Sequence, residues 1–144
     1  MRDVYQYFDW VDRVLEDAGA EEVEVDYFRD DSQSGLINGV VYFHDGSRLE
    51  ITEAVKLEQG KPFKATYVYQ YVRVGESVFR YDNAPHHPGL SNFPHHKHVG
   101  AQRVSALEPS LKQVLGEVVG YFADVLATKT KRRRQSKQED RSDS

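Results

Sequence analysis

Residues 62–74, PFKATYVYQYVRV, form the longest stretch with a two-residue period, and they narrow the possible folds more than any other segment. Successive side chains of a β-strand point to opposite faces, so this period predicts a strand and not a helix. One face would carry Phe63, Ala65, Tyr67, Tyr69, Tyr71 and Arg73. The other would carry Lys64, Thr66, Val68, Gln70, Val72 and Val74. A thirteen-residue strand cannot stand alone, because its backbone donors and acceptors need neighbouring strands. The stripe of Tyr67, Tyr69 and Tyr71 has two readings. It packs as core and cross-strand partners, or it offers faces on which RNA bases stack.

The neighbouring strands are visible on either side. Val23, Val25 and Tyr27 alternate with Glu22, Glu24 and Asp26, which predicts a strand over 22–29. Strands over 35–44 and 47–56 are joined by Asp45-Gly46, a strong hairpin signal. A Gly75-Glu76 turn leads into 77–82, where Val78, Arg80 and Asp82 share a face. Within 47–56, Glu53 falls in register with Leu49, Ile51 and Val55. A carboxylate on an apolar face reaches water at a strand end, is held by an arginine, or serves as a proton acceptor.

Helical periodicity brackets this sheet. Val4, Tyr7, Phe8, Val11, Val14, Leu15 and Ala18 line one side of a helix over 3–18, with Asp3 to cap it and Gly19 to end it. Its other side, Asp9, Asp12, Arg13, Glu16 and Asp17, is a solvated face or a docking surface for a basic partner. A second helix is expected after Ser105 or Glu108, with Pro109 in its first turn. Leu111, Val114, Leu115, Val118, Phe122, Val125 and Leu126 form its stripe. The expected fold is therefore α+β: an antiparallel sheet of about five strands, flanked by N-terminal and C-terminal helices on one face.

Charge separates the chain into parts. Residues 1–31 hold eleven acids and three bases, residues 32–128 nine of each, and residues 129–144 three acids and seven bases. Residues 1–128 are expected to be one domain, and the basic, apolar-poor 129–144 a disordered tail. Its Lys131, Arg132, Arg133 and Arg134 can hold RNA electrostatically, or simply keep the chain in solution. The absence of cysteine excludes disulfides and thiolate metal ligands and fits the cytoplasm. No apolar run is long enough to span a membrane, and MRDVYQYFDW does not read as a secretory signal.

The chemistry concentrates in one segment. RYDNAPHHPGLSNFPHHKH, residues 80–98, holds five of the six histidines: His86, His87, His95, His96 and His98. Pro85, Pro88 and Pro94 stiffen it. Imidazoles titrate near neutrality and serve as general acid or base. Cleaving RNA through its own 2′-hydroxyl needs such groups, plus cations on the phosphate. Arg80 and Lys97 fit the latter role, Glu53 joins the proton-transfer candidates, and Asp82 can orient an imidazole. This route needs no metal and no cofactor. Two other readings remain open. His95 and His98, spaced H-x-x-H, can ligate a metal with His86 or His87 and Asp82, which would make a metal-dependent hydrolase. Alternatively the histidines satisfy backbone carbonyls or meet a partner.

The string FRYDNAPHHPGLSNFPHHKH, residues 79–98, closely resembles the signature of the TumE-like family of small prokaryotic toxins from toxin–antitoxin pairs. LEITE, holding Leu49, Ile51 and Glu53, and YVYQY, holding Tyr67 to Tyr71, resemble that family's strand pattern, so the likeness spans about residues 35–115. The resemblance implies a cytoplasmic protein that harms its own host and is neutralised by a cognate antitoxin that also represses transcription. It implies RNA or translation as the target. That favours a ribonuclease over a toxin that transfers a nucleotidyl group to RNA, or merely binds it or the translation machinery. Self-association into a homo-oligomer stays open.

Overall fold

The computed structural model describes residues 1–85, 89 and 92–122. His86, His87 and Pro88 of the histidine segment, and the whole of 129–144, lie outside the described residues. The chain divides into Met1–Leu111 and Lys112–Ser144. The first unit contains helix α1 (Val4–Glu16) and strands β1 (Glu22–Asp31), β2 (Ser34–Tyr42), β3 (Arg48–Glu58), β4 (Lys61–Arg73), β5 (Glu76–Asp82), β6 (His96–Val99) and β7 (Gln102–Ser105). A second helix, α2, runs over 111–122, with Leu111, Val114, Leu115 and Val118 of its stripe buried. It begins after Pro109 and Ser110, later than a cap at Ser105 would place it, because Ser105 belongs to β7.

The seven strands form one antiparallel sheet in chain order. Five were legible, and β6 and β7 correct the expected count. Each is four residues, HKHV and QRVS, too short and too polar to show an apolar alternation. Gly100, at φ 58°, makes the tight turn between them. Asp45-Gly46 closes the β2–β3 hairpin as expected. Among the described residues no helix is long and apolar enough to cross a membrane.

One face of the sheet is the core. Ile37, Val41, Leu49, Ile51, Val55, Tyr67, Tyr69, Tyr71 and Phe79 are buried there with Val4, Tyr7, Phe8, Val11, Val14 and Leu15 of α1. Asp3 caps α1, its carboxylate accepting from the Gln6 N–H at 3.2 Å. Gly35 in β2 has a packing role: a Cβ there would stand 2.6 Å from the Phe8 ring and 2.6 Å from the Phe28 carbonyl oxygen.

A bulge corrects the expected faces of β4. Ala54 pairs with Thr66, but Val55 pairs with Lys64, so Ala65 is the extra residue and the strand before it turns over. Phe63 therefore leaves the tyrosine face and is half exposed, while Lys64 enters it. The Lys64 ammonium lies 4.8 Å from the ring centroids of both Tyr67 and Tyr69. It donates to the Tyr69 hydroxyl at 2.8 Å and the Pro109 carbonyl at 2.6 Å. Desolvation lowers its pKa, although Glu53 and Glu108 push the other way.

Candidate active site

The opposite face of the sheet is polar, and the strand register orders it. Residues directly opposite on neighbouring strands share a face. Following the pairs from β3 outward, Glu50 meets Gln70, Gln70 meets Arg80, Arg80 meets His98 and His98 meets Arg103. The adjacent row runs Thr52, Val68, Asp82, His96 and Ser105. The spacings Arg80-x-Asp82 and His96-x-His98 are thus strand spacings that bring four chemical side chains to one patch.

Asp82 is the hub of that patch. Its side chain is 4% exposed, and among the described residues a backbone amide, a guanidinium and two imidazoles meet it. Oδ1 accepts from the Ala84 N–H at 3.0 Å and faces His96 Nε2 at 2.8 Å. Oδ2 pairs with Arg80 Nε at 3.1 Å and faces His98 Nε2 at 3.4 Å. His96 is buried and its Nδ1 lies 2.9 Å from the Pro94 carbonyl. Both of its nitrogens therefore face an acceptor. His98 is the more open ring, 26% exposed. Desolvation lowers its pKa, against the pull of Asp82 and with the help of His96, Arg103 and Arg80. The two rings meet edge to face at 4.9 Å. Gln70, Ser77, Arg80, Asp82, Ala84, His96, His98 and Arg103 enclose an open groove of about 460 Å³.

Asn83 anchors the strand end beside this patch. It accepts from the Tyr67 N–H and donates to the Ala65 carbonyl, both at 3.0 Å, standing in for a strand partner. The Asp82-Asn83 pair thus fixes the start of the histidine segment through side-chain bonds to backbone.

Other residues singled out from sequence lie elsewhere. Glu53 is fully buried on the core face, where it accepts hydrogen bonds from Tyr7 and, at 2.7 Å, from Tyr69. Neither water at a strand end nor an arginine holds it. Burial, followed by the charge of Glu53, raises the pKa of both tyrosines, so their hydroxyls stay protonated and donate. Tyr67, Tyr69 and Tyr71 are at most 1% exposed, so their rings offer no open face to a base. His95 does not join the Asp82 cluster: it stacks on Tyr67 with Nδ1 2.9 Å from the tyrosine hydroxyl. Lys97 lies on the core side of β6, its ammonium 4.9 Å from the Tyr81 ring and 5.2 Å from that of Phe79. Arg103 was not foreseen. QRVS carries no periodic signal for it; Arg103 joins the polar row only through the pairing of β7 with β6.

The family model for toxin TumE matches residues 11–124, which contain the whole of this patch. The chain belongs to the TumE toxin family. It is accordingly the toxin component of a toxin–antitoxin pair, and a cognate antitoxin is its partner. No curated protein and no solved structure gives a significant match. Within this TumE family member, the matched region takes in Glu53 and Tyr69 of the buried network, though not Tyr7, and the whole Asp82–histidine patch.

Proposed function

We propose that this toxin is a ribonuclease that cleaves RNA through its own 2′-hydroxyl, using the Asp82–His96–His98 patch for proton transfer and needing no metal. The observation that carries this reading is the register: it sets Arg80, His98 and Arg103 in one row, beside Asp82 and His96, along an open groove.

His98 is the proton acceptor, because its ring reaches the groove while His96 is buried. Asp82 orients it, as carboxylates orient imidazoles in other proton-transfer sites. His96, held between Pro94 and Asp82, keeps that carboxylate in place. Arg80 and Arg103 bind the scissile phosphate and offset the charge that gathers on it. His98 removes the 2′-hydroxyl proton, O2′ attacks phosphorus, and the bond to O5′ breaks. O5′ then takes a proton from solvent, leaving a 2′,3′-cyclic phosphate and a 5′-hydroxyl. Gln70 and Ser77 supply polar contacts to the sugar along the groove floor. The basic 129–144 segment adds electrostatic hold on RNA, and the action takes place in the cytoplasm.

The test is RNA cleavage by the purified chain in excess chelator, with His98→Ala beside it. The expected result is products with 2′,3′-cyclic phosphate ends from the parent and a loss of at least about a hundredfold in the variant, within the range general acid–base groups contribute. Undiminished cleavage by a folded His98→Ala chain overturns the assignment.

A further inference from the structure

The three side chains proposed above for proton transfer, Asp82, His96 and His98, also have the composition and spacing of a metal site. We infer that Asp82, His96 and His98 bind a divalent transition metal of the zinc type, and that a bound metal excludes the acid–base state of the site. The metal site itself stands on geometry; only its effect on RNA cleavage rests on the proposed ribonuclease reading.

Four observations support the site. First, one ligand atom from each of Asp82, His96 and His98 lies within 4.8 Å of the others. His96 Nε2 is 2.8 Å from Asp82 Oδ1, and His98 Nε2 is 3.4 Å from the other carboxylate oxygen, Oδ2. Zinc bonds of about 2.0–2.1 Å in a tetrahedron put ligand atoms about 3.3 Å apart, so modest side-chain shifts suffice. Second, His96 Nδ1 lies 2.9 Å from the Pro94 carbonyl. Metal-binding histidines almost always donate their second nitrogen to such an acceptor, which aims Nε2 at the metal. Third, all three residues sit on paired strands, Asp82 directly opposite His96, so the ligands are preorganised. Fourth, His98 opens onto the groove, which provides an entry path and a fourth position for water.

Two imidazoles and one carboxylate, without sulfur, suit zinc, nickel, copper or iron better than magnesium or calcium. The arginines set a limit on affinity. Arg80 occupies Asp82 Oδ2 and must release it, which its 44% exposed side chain permits. Arg103 adds a second positive charge beside the groove. The site is therefore expected to bind in the micromolar range, not as a permanent structural metal.

A metal on Nε2 of both rings takes the place of the proton between His96 and Asp82. It also engages the carboxylate that orients His98. Zinc should consequently inhibit the chelator-resistant cleavage instead of supporting it.

The experiment titrates the purified full chain with zinc by calorimetry, after removal of bound metal, alongside His98→Ala and the control His44→Ala. The expected result is one site with a dissociation constant of about 1–10 μM, at least tenfold weaker in His98→Ala and unchanged in His44→Ala. Circular dichroism confirms that the variants are folded, and Asp82→Asn provides a second ligand deletion should His98→Ala fail to fold. Absence of binding at 100 μM zinc, or binding unaffected by His98→Ala and Asp82→Asn, overturns the metal site. RNA cleavage with and without zinc then separates the two ideas. Inhibition supports both. Metal-free cleavage untouched by zinc that does bind removes the exclusion. Cleavage that appears only with zinc keeps the metal site and removes the metal-independent ribonuclease.

Discussion

Asp82 and Glu53 are both buried carboxylates, but their neighbours suit them to different work. Asp82 touches two imidazoles and a guanidinium beside a groove. Glu53 touches two tyrosine hydroxyls inside the core. Asp82→Asn should leave the strands intact and cut RNA cleavage by at least about a hundredfold, because an amide cannot hold the imidazoles as a carboxylate does. Glu53→Gln should act on stability. It turns an acceptor-only group into one that also presents an N–H to a tyrosine, costing about 1–3 kcal/mol. Thermal unfolding should report that loss while the cleavage rate per folded molecule is retained. A variant that melts like the parent yet is inactive would put Glu53 back into the chemistry. The sequence already marked both residues as unusual. What it did not show was their surroundings, because Tyr7 lies 46 residues from its bond to Glu53, and such long-range contacts leave no periodic trace.

At the scale of elements, local periodicity reported the five longer strands and α1 closely, since α1 and β2 to β5 bury apolar residues and β1 half-buries Val23, Val25 and Tyr27. It missed the β6–β7 hairpin, whose candidate site residues His96, His98 and Arg103 are polar and lie on the face opposite the core. That is why His96 and His98 looked like loop residues and why Arg103 went unnoticed. The bulge at Ala65 was also hidden, because the extra residue depends on the partner strand. Two tests address these elements. Gly35→Ala should destabilise the chain by about 1–3 kcal/mol, since the new methyl meets the Phe8 ring and a backbone oxygen. Gly100→Val places a branched side chain at φ 58° in the edge turn. RNA cleavage should fall there more than the melting temperature does, because the hairpin carries site residues but little of the core.

Across the whole molecule, charge is distributed along the open sheet face. Glu24, Asp26 and Glu50 line a shallow groove at the β1–β3 side, and Gln70 joins it to the arginine-lined groove. On the proposed ribonuclease reading, an RNA strand should therefore be favoured at the arginine-lined side of the face and opposed at the acidic one. Removing residues 129–144 should weaken RNA binding and flatten its salt dependence without changing the melting temperature. Acid stability has an identifiable contributor. Burial pushes the Asp45 pKa up, but hydrogen bonds from Ser47 and the charge of Arg73 outweigh it and hold the value below that of an ordinary aspartate. A folded-state value below the unfolded one stabilises the fold above the unfolded pKa of about 3.9, and that contribution fades as pH falls through the folded value. Asp45→Asn should thus melt earlier than the parent at neutral pH, with the gap closing below about pH 4.

The concentration of contacts on Asp82 has a genetic consequence. A cell that loses its antitoxin survives only if the toxin is disarmed, and the cheapest disarming change is one that breaks several contacts at once without exposing an unfolded chain to proteolysis. One codon here orients two histidines and an arginine while contributing little apolar packing. Among spontaneous survivors that still accumulate full-length protein, substitutions should therefore recur at Asp82 more often than at any residue of the tyrosine-lined core.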